Sequence, residues 1–324
     1  MINLLKDILN PNNWLKVFKK PKKFIKVFND RVNYYPGLKF GYTKSKVVKK
    51  LYMKFNIFFA KKNKNFKEFF FDTESNKNSF NTNFNLNRGH NINEEHFQSL
   101  RKNGILILEN ALKENEQNKI SETFNKFKND LENNNFDDYK DKNFTTTKGP
   151  PLSSYFTINS ELSPDSNLKK INDQITKKIY GKSIHPSQSF GYQKAISLPE
   201  INIPGDNLWH SDRYLPNLKL LYFPFGVENN GAPFRYSIGS HKINKDYLNF
   251  FINKSGGTVE NFDEEEKFLS NTLECEVPPN TLIATLTNGF HSRTPFKKET
   301  DRCALYLMYS NFKLSSLIGY WKYN

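Results

Sequence analysis

Residues 208–227 read "LWHSDRYLPNLKLLYFPFGV". From Leu218 the stretch is aliphatic and aromatic, bounded by Pro216 on one side and Pro224 and Gly226 on the other, which is the pattern of a short buried strand. His210 and Asp212 stand just ahead of it. In extended backbone, residues i and i+2 point to the same face, so an imidazole and a carboxylate converge here from rigid main chain. The same strand texture recurs in "FGYQKAISL" (190–198), "TLIATLT" (281–287) and "CALYLMYS" (303–310). Upstream, "EEHFQSLRKNG" (94–104) predicts a helix ending at Gly104, "ILILEN" (105–110) a strand, and "KENEQNKISETFNKFKNDLEN" (113–133) a helix with Ile120, Phe124, Phe127 and Leu131 on one face. Two helices followed by many short strands predict a mainly β fold with flanking helices, a sandwich or jelly roll.

Composition sets the frame for this core. At 324 residues, 37% hydrophobic and 15% aromatic, the chain is long enough for one substantial core and too apolar for general disorder. Its two cysteines, Cys275 and Cys303, lie far apart in sequence and suggest no disulfide framework, which points to a reducing compartment. Lysine and proline interrupt the early apolar runs, and no run approaches the roughly 18 apolar residues of a membrane span, so a cytoplasmic location is expected.

The formal charge of +15 is concentrated at one end. Residues 1–67 hold 18 Lys+Arg against Asp7 and Asp30, a net +16, whereas the remaining 257 residues hold 30 basic and 31 acidic residues. A body without its own basic lining argues against a nucleic-acid groove. Within the basic segment, "PNNWLKVFKK" (11–20) is followed directly by the similar "PKKFIKVFND" (21–30). Each copy predicts a short helix with proline in its first turn and large apolar residues above a lysine-rich face. Such helices suit an anionic membrane surface through residues 1–70, placing the protein peripherally at the inner face. Packing onto the body and disorder are the competing expectations. Residues 1–71 are therefore read as a basic amphipathic segment, 72–93 as a turn-rich linker holding His90 with His96 at its edge as surface histidines, and 94–324 as the catalytic domain.

Of six histidines, His210 is the only one followed at i+2 by an acid, and His291 ends another strand-like run. His241, in "SIGSHK", reads as a turn or substrate-loop residue, and His185 lies in a loop beside Pro186. Two imidazoles and one carboxylate on one side of a metal form the facial triad of non-haem Fe(II) oxygenases, which leaves positions for a chelating 2-oxo acid and O2. Arg302 follows His291 by eleven residues, and its planar fork suits the distal carboxylate of 2-oxoglutarate.

Three blocks, "LWHSDRY", "VENNGAPFRYSIGSHK" (227–242) and "HSRTPF…DRCALYLMY", resemble the signature blocks of the phytanoyl-CoA dioxygenase family of Fe(II)/2-oxoglutarate oxygenases. The resemblance covers roughly residues 94–315. It implies a double-stranded β-helix (jelly roll, cupin-like), iron held by His210, Asp212 and His291, and 2-oxoglutarate bound by Arg302, with Thr294 a further candidate beside the co-substrate. Ser292 and Arg293 stand where the family often has glycine. The activity implied is hydroxylation of a C–H bond in a small-molecule, lipid-linked or envelope-precursor substrate, with release of succinate and CO2. The rival readings are a nucleic-acid-binding protein and a non-catalytic surface adaptor carrying a degenerate oxygenase domain.

Overall fold

The computed structural model describes residues 64–71, 92–139, 144–147, 152–158, 162–194, 208–212, 217–253 and 266–309, with residues 54, 57, 61, 87, 88, 141 and 142. The duplicated stretch 11–30, His90 and Tyr214 lie outside the described residues. In chain order the elements are α1 (Lys64–Phe70), β1 (Asn87–Arg88), α2 (Glu94–Asn103), β2 (Ile105–Glu109), α3 (Glu114–Glu132), β3 (Thr145–Thr147), β4 (Leu152–Ile158), α4 (Asn167–Tyr180), β5 (Ser187–Lys194), β6 (Leu218–Phe223), β7 (Phe234–Ser237), α5 (Lys245–Asn253), α6 (Glu266–Leu269), β8 (Thr272–Cys275), β9 (Thr281–Leu286), β10 (His291–Arg293) and β11 (Asp301–Met308).

The fold is a jelly roll flanked by helices. One sheet has the order β1-β2-β9-β6-β11-β5-β4-β3 and the other β10-β7-β8. Neighbouring strands are antiparallel except β1 and β2. The period-2 alternation of strands sorts the core into two layers. Leu106, Leu220, Tyr222, Leu282, Ala284, Leu305 and Leu307 face the helices, joining Phe124 and Phe127 of α3 and Ile171, Ile175 and Ile179 of α4. The alternate residues Ile105, Ile107, Leu221, Phe223, Ile283 and Ala304 face the small sheet, where they meet Phe234, Tyr236 and Cys275. Because that inner face is closed by only three short strands, polar side chains of the same parity reach a cavity.

Helix α2 begins with a capping box, in which Asn93 and His96 exchange side-chain-to-backbone hydrogen bonds, and ends on Gly104 at φ +81°. His96 is thus buried in a cap, where the sequence reading had it on the surface: its Nδ1 accepts from the Asn93 N–H at 2.9 Å. Helix α4 starts at Ser166, whose hydroxyl oxygen accepts from the Lys169 N–H, and ends at Gly181 in the left-handed region. Helix α1 packs onto the body through Phe66, Phe69 and Phe70, all fully buried. Its terminal carbonyls accept from the Ile243 N–H at 2.7 Å and the Lys242 ammonium at 3.1 Å.

Candidate active site

The chain enters the site antiparallel to β10. His210 and His291 exchange backbone bonds, N–H to carbonyl, at 2.9 and 2.8 Å, and the Asp212 N–H donates to the Thr287 carbonyl at 3.0 Å. Ser211 points the opposite way, fully buried, and its hydroxyl donates to the Asn288 carbonyl at 2.9 Å. Side-chain alternation therefore sends His210 and Asp212 together toward His291. The two imidazole centroids are 4.5 Å apart, and ligand atoms of all three residues lie within 4.8 Å of one another.

Each histidine is held in one orientation. His210 Nδ1 lies 2.8 Å from the Leu208 carbonyl and His291 Nδ1 2.9 Å from the Gly289 carbonyl. A carbonyl can only accept, so Nδ1 carries the proton in both rings and each Nε2 keeps its lone pair for a ligand. His291 Nε2 is buried without a hydrogen-bond partner among the described residues and lies 3.5 Å from Asp212 Oδ1. Burial lowers the His210 pKa to about 4. Burial pushes the Asp212 carboxyl up, but Lys219 and His291 outweigh it and hold it well below the usual carboxylate range. Both groups are thus deprotonated at neutral pH, as metal ligands must be. Two neutral nitrogens, one carboxylate oxygen and an orphaned buried Nε2 fit a divalent transition ion such as iron.

The turn preceding His291 rests on a buried polar network. Tyr236 donates to the Leu286 carbonyl at 2.9 Å, Tyr247 to the Asn288 carbonyl at 2.8 Å, and the Asn288 amide to the His241 carbonyl at 2.7 Å. The Phe290 N–H donates to the Ser240 hydroxyl at 2.8 Å. A Cβ on Gly289 would overlap the Tyr236 hydroxyl, so only glycine fits there. The "SIGSHK" stretch therefore supports the turn before His291 from behind. His241 lies in the turn after β7, fully buried with its Nε2 3.0 Å from the Arg101 carbonyl.

Beside the three candidate ligands is a cavity of about 300 Å³ whose lining includes His210, His291, Lys219, Arg293, Arg302 and Tyr306. Arg302 is buried. Its Nη1 donates to Gln193 Oε1 at 3.1 Å and to the Tyr306 hydroxyl at 2.8 Å, and its guanidinium lies 5.2 Å above the Phe223 ring. Thr294 is buried on the opposite parity to His291 and Arg293, and its N–H donates to the Pro233 carbonyl at 3.0 Å. Trp209 is partly buried, with the Arg235 guanidinium 4.9 Å above its ring.

Sequence reasoning missed Lys219, whose Nζ lies 2.8 Å from Asp212 Oδ2. The signal was a single lysine in the otherwise apolar strand "LKLLYF", on the parity of Leu221 and Phe223. Arg293, which could take the 2-oxoglutarate carboxylate in place of Arg302, also lines the cavity, since His291 and Arg293 share a face by i, i+2 spacing.

No family model matches the chain, and no curated protein matches it. Among solved structures it is similar to EctD from S. alaskensis with bound Fe, at 12% identity over 71% of this chain and 79% of that one, TM-score 0.47. It is similar also to the epimerase SnoN in complex with Fe3+, alpha ketoglutarate and nogalamycin RO, at 12% identity over 66% and 83%, TM-score 0.45. A Pseudomonas putida prolyl-4-hydroxylase aligns at 10% identity over 67% and 98%, TM-score 0.40.

Proposed function

We propose that the chain is an Fe(II)- and 2-oxoglutarate-dependent oxygenase related to the phytanoyl-CoA dioxygenase family, with residues 94–324 as its catalytic domain. One observation carries the reading: two imidazoles with free Nε2 lone pairs and one ionised carboxylate converge at a cavity that also holds a buried arginine. His210, Asp212 and His291 would hold the iron, and Arg302 would receive the distal carboxylate of 2-oxoglutarate with its planar fork. Bound there, iron and 2-oxoglutarate would supply O2 activation coupled to oxidative decarboxylation, one oxygen atom going to succinate and the other to the substrate C–H bond as hydroxyl.

The protein's own residues do the positioning. The carbonyls of Leu208 and Gly289 fix both imidazole tautomers, Lys219 holds Asp212 Oδ2 and leaves Oδ1 toward His291, and Gln193 and Tyr306 orient Arg302. The substrate class in this reading is a small molecule, lipid or envelope precursor, handled in the cytoplasm. Residues 1–70 would add peripheral attachment to an anionic membrane surface, a role supported by the net +16 of residues 1–67.

The test is succinate formation from 2-oxoglutarate under Fe(II) and O2 across a substrate panel, together with Fe(II) binding. Asp212→Ala should stay folded while losing at least tenfold in iron affinity and all substrate-stimulated succinate. Wild-type-like turnover in that variant ends the reading, and a wild-type protein that binds neither iron nor 2-oxoglutarate favours a non-catalytic adaptor.

A further inference from the structure

Arg302, Tyr306 and Met308 lie on one face of β11 and line the cavity in that order. Met308 pairs with Lys219, whose ammonium bonds Asp212, so this end of the strand lies beside the three candidate ligands and Arg302 lies at the other end. Tyr306 stands between. Four residues of strand put its Cα about 13 Å from that of Arg302, yet the two side-chain tips meet at 2.8 Å. The phenol therefore leans along the cavity toward the guanidinium.

Its place is set by a glycine. Gly191 pairs with both Tyr155 and Ala304, and a Cβ there would stand 2.7 Å from the Tyr155 ring and 2.7 Å from the Tyr306 ring. The bare backbone lets the two rings lie together, with centroids 6.3 Å apart. The direction of each bond follows from the donors. A guanidinium only donates, so Gln193 turns its carbonyl oxygen to Arg302 Nη1 at 3.1 Å and gives its amide hydrogens to Tyr155 and Ser153 at 3.1 and 3.2 Å. For the same reason the Tyr306 oxygen accepts, and a phenol that accepts still has a proton to donate. Among the described residues no acceptor takes that proton.

We infer that Tyr306 is a second contact for the distal carboxylate of 2-oxoglutarate, its hydroxyl donating to that carboxylate beside Arg302. This rests on the oxygenase reading and deepens it, since Tyr306 then touches the co-substrate as well as orienting the arginine. A carboxylate received at the guanidinium comes within reach of a phenol 2.8 Å from the same nitrogen. The bond it forms is charge-assisted, the stronger class of hydrogen bond.

The experiment uses the full chain loaded with Mn(II), so that no turnover occurs, and follows binding by calorimetry. The probes are 2-oxoglutarate and 2-oxopentanoate, which carries a methyl group where 2-oxoglutarate has its distal carboxylate. Tyr306→Phe removes the hydroxyl and keeps the ring against Tyr155. It should weaken 2-oxoglutarate about tenfold or more, while changing Mn(II) and 2-oxopentanoate affinity by less than threefold. A second readout separates contact from positioning: on 2-oxoglutarate binding, the ultraviolet tyrosine band of wild type should shift to longer wavelength as a phenol begins to donate to a carboxylate. Tyr306→Phe should lack that shift, and 2-oxopentanoate should not produce it; the wild-type comparison of the two probes serves should the variant fail to fold. Unchanged 2-oxoglutarate affinity in Tyr306→Phe overturns the inference, as does an equal loss for both probes. Weakened binding with no tyrosine shift in wild type also overturns it, because Tyr306 then acts only through Arg302. A wild-type protein that binds no Mn(II) or no 2-oxoglutarate overturns the oxygenase reading, and this inference with it.

Discussion

His210 is kept neutral by burial, and that has a consequence for stability. An ordinary histidine takes up a proton near pH 6.5. In the folded protein the His210 pKa is lowered to about 4, and burial lowers those of His241 and His96 as well. Below pH 6.5 the unfolded chain binds protons that the folded state refuses, so stability is full above that pH and is lost as the pH falls toward 4. For His210 alone the loss between pH 7 and 5 is about 2 kcal/mol. Asp212 does not confound this window, because its carboxyl is depressed and its contribution persists until the pH falls below the ordinary carboxylate range. Urea unfolding of metal-free protein should show a falling midpoint across the interval, with a shallower fall in His210→Gln; parallel slopes would show that His210 is not the group responsible. At this scale the three candidate iron ligands were legible as H-x-D and a distant histidine, since those residue types and that parity are local facts. Lys219 was not, because its approach to Asp212 depends on how the chain returns from residue 212 into β6.

Strand and helix boundaries followed local chemistry where local chemistry was strong. α2 ends before Gly104 and α3 spans Glu114–Glu132, as their periodicity predicts, and α3 turns Phe124 and Phe127 inward. Helix α4 carries equally readable signals, Ser166 and Gly181 as caps with Ile171, Ile175 and Ile179 at every fourth position. Short strands such as β7, β8 and β10, three or four residues long, carry too few alternations to stand out. They exist because the large sheet gives them a face to cover. Gly104 shows how an element boundary serves the site: it adopts φ +81°, and a Cβ there would overlap His241 and Tyr236, both behind the turn that carries His291. Gly104→Ala should therefore destabilise the protein by on the order of 2–4 kcal/mol, from left-handed strain plus overpacking. A thermal melt checks it, and an unchanged midpoint would mean that the contacts behind the turn before His291 yield freely.

Across the whole molecule, the charge asymmetry and the core divide the chain differently. The basic run extends through Lys67, yet α1 places Phe66, Phe69 and Phe70 in the core. Deleting residues 1–70 should cost on the order of 6 kcal/mol, at about 2 kcal/mol for each of the three buried phenylalanines. Deleting residues 1–50 should remove salt-sensitive association with anionic vesicles; retained vesicle binding would refute a membrane role for the segment. Among the described residues no helix is long and apolar enough to cross a membrane. The sequence by itself determined the mainly β class, the two N-terminal helices of the domain, and the residue types and parity of His210, Asp212, His291 and Arg302, because these depend on neighbours a few positions away. Only the tertiary structure decided that the three candidate ligands meet, that Lys219 and Arg293 join Arg302 around one cavity, and that "SIGSHK" braces the turn before His291. Those are contacts between residues up to about eighty positions apart, and they arise when β10 and the chain before β6 pair across the open end of a sheet sandwich.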